Sequence, residues 1–524
     1  MPTSYEWATA LFCFSITLAA AHPEILWTDC SEHVPPSDVF NATGVDLQHL
    51  PSTLKCGRLV VPMDYSKPLS ESNNITLGLA MHRPVQPKGV IFFCPGGSDN
   101  AVVHAWNLAL NITSPFIPDF SDLTDYDLMM MDIRGTYSSN PLNVSLDTVL
   151  PLFNPYPTSQ DEFNTAKEIA AAAIQSWVDS SSPPGIVGHV GTREVVQDYN
   201  QIRQALGYEK IHFIGASYGS YRALQFAQTY PHSVGRFVLD AVVPHGVCPA
   251  QQAEHEMAAA NRVLLRADAY CQNNSSCPFS GAGKGSVPEA YREIIKTASN
   301  SSIDTVWAIQ ATITGLLQDQ PDFPQIIDLI AALSMNISAL DALPQQALTA
   351  GSIVAYVLEC GDSPLTTTFS GFQKSLNAGL ADEGLTKIDD SLIPTTSVKQ
   401  QLVQLACSAW PFDTTPLVPI RTEIPMLVVT ADFDGSAPTE WTTLTMPDIP
   451  NGHLVVRHGD DHVSFNLPAQ SSTAIAKRFL RTGILPGHSN NTFVTVYASP
   501  VKRGPIADPY SVPTGFQDGD VDSA

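Results

Sequence analysis

The chain is poor in basic residues. Lys and Arg together number 27 against 51 Asp and Glu, giving a formal net charge of −24 that is spread along the whole length. A surface this negative argues against nucleic acid and anionic membranes as partners. Long apolar runs are scarce as well. Past residue 21 no run of about 18 uncharged apolar residues occurs, the length a membrane span needs, so no membrane anchor is expected. The chain also lacks any Cys-x-x-Cys pair, which removes a common zinc-binding spacing, and neither metal nor organic cofactor is expected. It has no internal repeats, so solenoids and propellers are set aside.

What remains is a globular composition, with 44% hydrophobic residues over 524 positions, enough to bury a large core. The opening "MPTSYEWATALFCFSITLAAAHPE" carries an apolar run from Ala8 to Ala21 that is too short to span a bilayer and ends in small residues. It reads as a signal peptide over 1–21, despite Glu6 and the missing Lys or Arg. Asn-x-Ser/Thr sequons at Asn41, Asn74, Asn111, Asn143, Asn273, Asn274, Asn300, Asn336 and Asn490 agree with secretion and make those residues glycosylation candidates. Beyond Cys13, eight cysteines remain, an even number that suits disulfides in an oxidising compartment.

From Arg58 the pattern is strand-like: "RLVVPMDY", "ITLGLAMHRP", the fully apolar "GVIFFCPGG" and "YDLMMMDIRG". Helical spacing follows over 159–180 and 193–206, the second with Thr192 as its expected N-cap. A strand over 210–216, a helix over 218–230 and the strand "GRFVLDAVV" complete an alternation that specifies a mostly parallel sheet covered by helices on both faces. Residues 245–395 break that rhythm with helical patterns, and it returns at "IPMLVVTADFDGSAP" and "HLVVRHGDDHVSF", followed by a helix over 469–480. The expected plan is an N-terminal extension over 22–55, a core over 56–244, a helical cap over 245–395 inserted after the sixth strand, a second core segment over 396–484 and a tail over 485–524.

The stretch "KIHFIGASYGSYRALQFA" places Ser217 in a Gly-x-Ser-x-Gly turn between a strand and a helix. Such a turn lifts the hydroxyl clear of the sheet and aims the Tyr218 N–H at the same space, where it can bind an oxyanion. A serine nucleophile needs a base, and the base needs an orienting carboxylate, in chain order Ser, Asp, His and each at a strand end. Asp434 after "MLVVT" and His462 after "HLVV" fill those places, with Asp432 and His458 as the neighbouring alternatives. The loop Pro95-Gly96-Gly97 offers a second oxyanion donor, with Gly97 as the candidate and Ser98 next to it.

These residues, together with "CPGGSDN", "DIRGTYSS", the block from Gly191 to Pro244, "YCQNNSSCPF", "LECGDSP" and "CSAWPF", make the chain resemble the α/β-hydrolases of the tripeptidyl aminopeptidase and proline iminopeptidase family. The resemblance covers most of 55–484 and implies an α/β-hydrolase fold, with Ser217 as nucleophile, Asp434 as orienter and His462 as base. It implies cleavage of residues or short peptides from free N-termini held by acidic residues under the cap, for which Glu254 and Glu256 are candidates. Being i and i+2 on a helix, those two do not share a face. It also suggests disulfides Cys271–Cys277 and Cys360–Cys407, leaving Cys30–Cys56 and Cys94–Cys248. Two loops depart from the family pattern, Gly96-Gly97-Ser98-Asp99 and Arg134-Gly135-Thr136-Tyr137, so that Asp99 and Tyr137 would narrow or polarise the mouth. The same machinery opens esters, so a peptide or a small ester or lactone is the expected substrate. A non-catalytic binding role would leave a complete Ser, Asp and His set unexplained.

Overall fold

Two strands in the middle of the molecule, Val90–Cys94 and Leu427–Ala431, are buried at every residue. This is the signature of parallel strands with helices packed on both faces. In the computed structural model, residues 23–514 are described apart from 115–116, 149, 154–155, 343–349, 363–367, 381–386, 389–390, 393–398 and 468–470. The expected signal peptide therefore lies outside the described residues, as does the cap's expected end at 395.

In chain order the strands are β1 Leu26–Thr28, β2 Leu54–Val61, β3 Ile75–His82, β4 Val90–Cys94, β5 Asp127–Met131, β6 Ile211–Ala216, β7 Val234–Asp240, β8 Lys387–Ile388, β9 Ser391–Leu392, β10 Leu427–Ala431, β11 His453–Arg457, β12 Ser489–Asn490 and β13 Val494–Tyr497. All but the β8–β9 ribbon join one sheet of order β1-β2-β3-β5-β4-β6-β7-β10-β11-β13-β12. Pairing is parallel from β5 through β11 and antiparallel at both ends. Alternate residues feed opposite cores. Phe92, Phe213 and Val428 pack on one face, and Phe93, Ile214 and Val429 on the other.

The helical insertion follows β7, the seventh strand in chain order, because Leu26–Thr28 adds an edge strand within the expected extension. Its helices Pro249–Gln272, Ser286–Ser299, Ile303–Leu317 and Phe323–Met335 share a core of their own around Val263, Ile294, Ile309 and Ile327. The expected tail instead supplies β12 and β13, which extend the sheet past β11. One helix start also differs from expectation. The helix runs Thr192–Ala205 with Gly191 at its N-cap. Thr192 cannot cap it, because its N–H and hydroxyl, both at 2.6 Å, go to the Asp362 carboxylate of the insertion. Helix Ser471–Thr482 is described from Ser471, and the first residues expected for it lie outside the described residues.

Candidate active site

β6 ends at Ala216 and helix Tyr218–Thr229 begins one residue later, so the whole reversal falls on Ser217. Its φ of 53° and ψ of −127° put it in a region that costs an L residue about 1–3 kcal/mol, a strain concentrated at functional sites. The flanking glycines are there for clearance. A Cβ on Gly215 would stand 2.5 Å from Gly219 O, and one on Gly219 would stand 2.3 Å from Cys94 O. The Ser217 N–H donates to Asp240 O at 2.8 Å, fixing the turn to the end of β7.

The loop after β10 holds Asp434, 1% exposed, whose Oδ1 accepts from the N–H groups of Ser436 (2.9 Å) and Ala437 (2.7 Å). The loop after β11 presents His462, with Nδ1 at 2.8 Å from Asp434 Oδ2 and 3.0 Å from Oδ1. That leaves Nε2 as the ring's other proton site, and His462 and Ser217 line one cavity. The two alternatives form a pair elsewhere. His458 Nδ1 lies 2.6 Å from Asp432 and its Nε2 lies 2.9 Å from Thr495 of β13, while Arg503 pairs with Asp432. Neither Asp432 nor His458 is on the cavity wall.

Burial works against a charged His462 ring, but the charge and hydrogen bond of Asp434, helped by Asp319 and Asp240, outweigh it and raise the pKa to about 9. Asp240 is a carboxylate that sequence reasoning did not single out. Its Oδ2 accepts from the Phe465 N–H at 2.6 Å, just beyond His462, and burial raises its pKa to about 6. One residue thus holds the nucleophile turn through its carbonyl and the histidine loop through its side chain.

Opposite the serine, a Cβ on Gly96 (φ +111°) would stand 2.7 Å from both Ala216 O and Ser217 Cβ and 3.2 Å from Tyr218 N. Only glycine lets that loop come so near the nucleophile. Gly97 and Tyr218, the two residues expected to supply oxyanion donors, both line the cavity, whereas Ser98 does not.

A family profile described as an α/β-hydrolase fold matches residues 89–325, and one described as a TAP-like protein matches residues 394–492. The chain thus combines an α/β-hydrolase fold with a TAP-like region. Curated relatives include a tripeptidyl aminopeptidase of Streptomyces coelicolor, 25% identical over 43% of this chain and 39% of that protein. They also include the serine protease Hip1 of Mycobacterium tuberculosis, 25% identical over 51% and 49%, and the putative hydrolase YuaR of Escherichia coli, 23% identical over 56% and 57%. The chain thus spans about two fifths to somewhat over half the length of these relatives.

In this α/β-hydrolase fold the cavity measures about 380 Å³ and is roofed by the insertion. Four carboxylates line it, Asp99, Glu256, Asp319 and Glu359, with Trp441 and Val243 as apolar wall, and no Lys or Arg is among its lining residues. Of the two candidates on helix Pro249–Gln272, Glu256 is buried and lines the cavity. Glu254 does not, since two residues of helix turn it to the exposed side. Of the two departures from the family pattern, Asp99 reaches the wall and Tyr137 does not. Glu359 and Asp319 were missed. Glu359 precedes Cys360 in the quoted "LECGDSP", whereas Asp319 follows helix Ile303–Leu317 with no local signal.

Asp319 nonetheless ties the insertion to both loops. Its carbonyl accepts from the His462 N–H at 2.6 Å, and its carboxylate accepts from Ser436 Oγ, also at 2.6 Å. Among the described residues three disulfides are present, Cys30–Cys56, Cys271–Cys277 and Cys360–Cys407. Cys94 and Cys248 are free, contrary to expectation, because Cys94 is buried under the nucleophile helix while Cys248 is exposed at the start of the insertion.

Proposed function

We propose that this chain is a serine hydrolase in which Ser217, His462 and Asp434 carry out two-step acyl transfer, and that its substrates are peptides with a free N-terminus. The observation that carries the chemistry is His462 bonded through Nδ1 to Asp434 while sharing a cavity wall with the strained Ser217. Ser217 Oγ bonds to the substrate carbonyl carbon as its proton passes to His462 Nε2. The oxyanion accepts from the Tyr218 and Gly97 N–H groups, and the proton then goes to the leaving amine as its bond to the acyl carbon breaks. Water repeats the sequence on the acyl-serine, releasing the acid and restoring Ser217.

The free N-terminus is supported by four lining carboxylates with no Lys or Arg on the wall, a lining that favours an ammonium group over a neutral one. The printed names of two relatives, tripeptidyl aminopeptidase and serine protease, point the same way. Secretion as a glycoprotein is supported by the three disulfides and by sequon asparagines that are exposed or half-exposed, never buried. Among the described residues no helix is long and apolar enough to cross a membrane.

The deciding assay compares tripeptidyl and aminoacyl p-nitroanilides with their N-acetylated forms and with p-nitrophenyl acetate. Turnover of the free amides alone supports the exopeptidase reading. Equal cleavage of the acetylated amides sinks it, and turnover confined to the ester makes the chain an esterase. A Ser217→Ala chain with full activity would refute the acyl-transfer chemistry itself.

A further inference from the structure

Arg222 lies on helix Tyr218–Thr229, five residues past Ser217, and is 1% exposed. A guanidinium taken out of water costs several kcal/mol unless something compensates it. Among the described residues no carboxylate forms a direct ion pair with Arg222, although its charge acts on the buried Asp362, and its Nε has no hydrogen-bond partner. Its contacts converge on the oxyanion region instead. Nη2 donates to Gly97 O at 2.8 Å and Nη1 to Cys94 Sγ at 3.4 Å, and Cζ stands 4.9 Å from the centre of the Tyr218 ring. The Tyr218 hydroxyl is held in turn by Asp362 at 2.8 Å.

The loop that Arg222 grips is intrinsically unrestrained. Gly96 and Gly97 have φ of +111° and +41°, with no side chain to oppose a peptide flip. A trans peptide holds each carbonyl opposite the next N–H, so pinning Gly97 O also sets the direction of the Ser98 N–H. The preceding peptide is fixed by the Asp99 N–H, which closes a turn onto Gly96 O at 3.4 Å. Both peptides around Gly97 are then held, while the ring of Tyr218, the residue of the other donor, lies against the same guanidinium.

We propose that Arg222 is a positioning residue. It locks the Gly96–Gly97 loop and the Tyr218 turn in the oxyanion-binding arrangement and places a buried positive charge beneath the alkoxide that forms there. This rests on Ser217 being the nucleophile. Preorganised donors and charge act more strongly on the transition state than on bound substrate, so the effect belongs in kcat.

The test uses the full secreted chain with Arg222→Met and Arg222→Lys, active sites counted with a fluorophosphonate, and whichever reporter turns over. Arg222→Met is expected to lose about 10²–10³-fold in kcat, the scale of one oxyanion-hole donor, with KM within about threefold. Inhibition by phenylboronic acid, which forms a tetrahedral serine adduct, should weaken in step with kcat. Arg222→Lys should recover at least about tenfold, because it keeps the charge and one donor. A folded Arg222→Met chain with kcat and boronate inhibition within about threefold of the wild type overturns the proposal.

Should neither variant fold, the crystal structure of the wild-type chain phosphonylated at Ser217 decides. Gly97 O on Arg222, with loop N–H groups on the phosphoryl oxygen, supports the role, and a Gly97 carbonyl turned away from Arg222 overturns it. Failure of the acyl-transfer reading is recognised separately, by a wild-type Ser217 that the fluorophosphonate does not label or by an active Ser217→Ala chain, and it removes this role as well.

Discussion

Replacing Asp434 by Asn is the sharpest perturbation of the site, because the structure dictates how the new side chain must sit. Oδ1 of Asp434 accepts from two backbone N–H groups, Ser436 at 2.9 Å and Ala437 at 2.7 Å. An asparagine keeps its oxygen on those donors, so its NH2 takes the place of Oδ2, 2.8 Å from His462 Nδ1. The amide then donates to Nδ1 and drives the ring proton onto Nε2, where it blocks transfer from Ser217. The loop stays anchored by the same two bonds, so the fold survives while the tautomer is wrong. The expected loss is about 10⁴-fold in kcat, or ~5 kcal/mol of barrier. The pH profile should move too. Asp434 is the largest influence raising the His462 pKa to about 9, and the imidazole must be neutral to accept a proton. Wild-type kcat/KM should therefore climb from neutral pH through about 9, and the acid limb of the residual activity should fall to lower pH in Asp434→Asn. Stopped assays from pH 5 to 10, with thermal melts to confirm folding, read both effects. A folded Asp434→Asn chain within about tenfold of wild-type kcat would refute the tautomer reasoning.

Asp319→Asn keeps the backbone bond to His462 but removes a charge that raises its pKa, so the acid limb of kcat/KM should shift to lower pH. An unmoved limb would mean that Asp319 is not electrically coupled to the ring. Gly96→Ala forces a Cβ to 2.7 Å from Ala216 O and Ser217 Cβ at φ +111°, and should cost more than about 10²-fold in kcat with a lowered melting midpoint. Near-normal turnover would show that the loop can retreat without loss. Removing Cys360–Cys407 with paired serine substitutions opens a link between residues 47 apart, worth ~4 kcal/mol by chain entropy. An unchanged urea midpoint would place the constraint elsewhere.

The central strands and the nucleophile turn were legible because both are local. Runs such as Val90–Cys94 state their burial residue by residue, and the spacing of Gly215, Ser217 and Gly219 encodes a clearance between adjacent elements. Asp434 and His462 were legible through chain order at strand ends, and their hydrogen bond agrees with that placement. What could not be read is whatever depends on contact between remote segments. Thr192 has every mark of an N-cap, yet its hydroxyl is taken by Asp362, 170 positions on. Glu254 and Glu256 differ only by helix phase relative to a cavity that the insertion must first enclose. Cys94 and Cys248 pair only by elimination, and the burial of one and exposure of the other defeat that. The last two strands were missed because edge pairing onto β11 needs only short runs with weak patterns.

The cavity is electrostatically two-sided. Its floor carries Tyr218 and Gly97, whose carbonyl accepts from the buried Arg222, and its wall and roof carry Asp99, Glu256, Asp319 and Glu359. A substrate with a neutral carbonyl alone gains from the floor only. On the proposed exopeptidase reading, one with an ammonium group a short distance from its scissile carbonyl gains from both, with the carbonyl oxygen toward Gly97 and the amine toward the insertion. The same wall bears on catalysis, since negative charge near His462 favours the imidazolium formed as Ser217 attacks, while it opposes the oxyanion formed at the same moment. A buried cation on the oxyanion side, the role proposed for Arg222, offsets that opposition. Arg222, which donates to Gly97 O at 2.8 Å, is the buried cation placed to play that part.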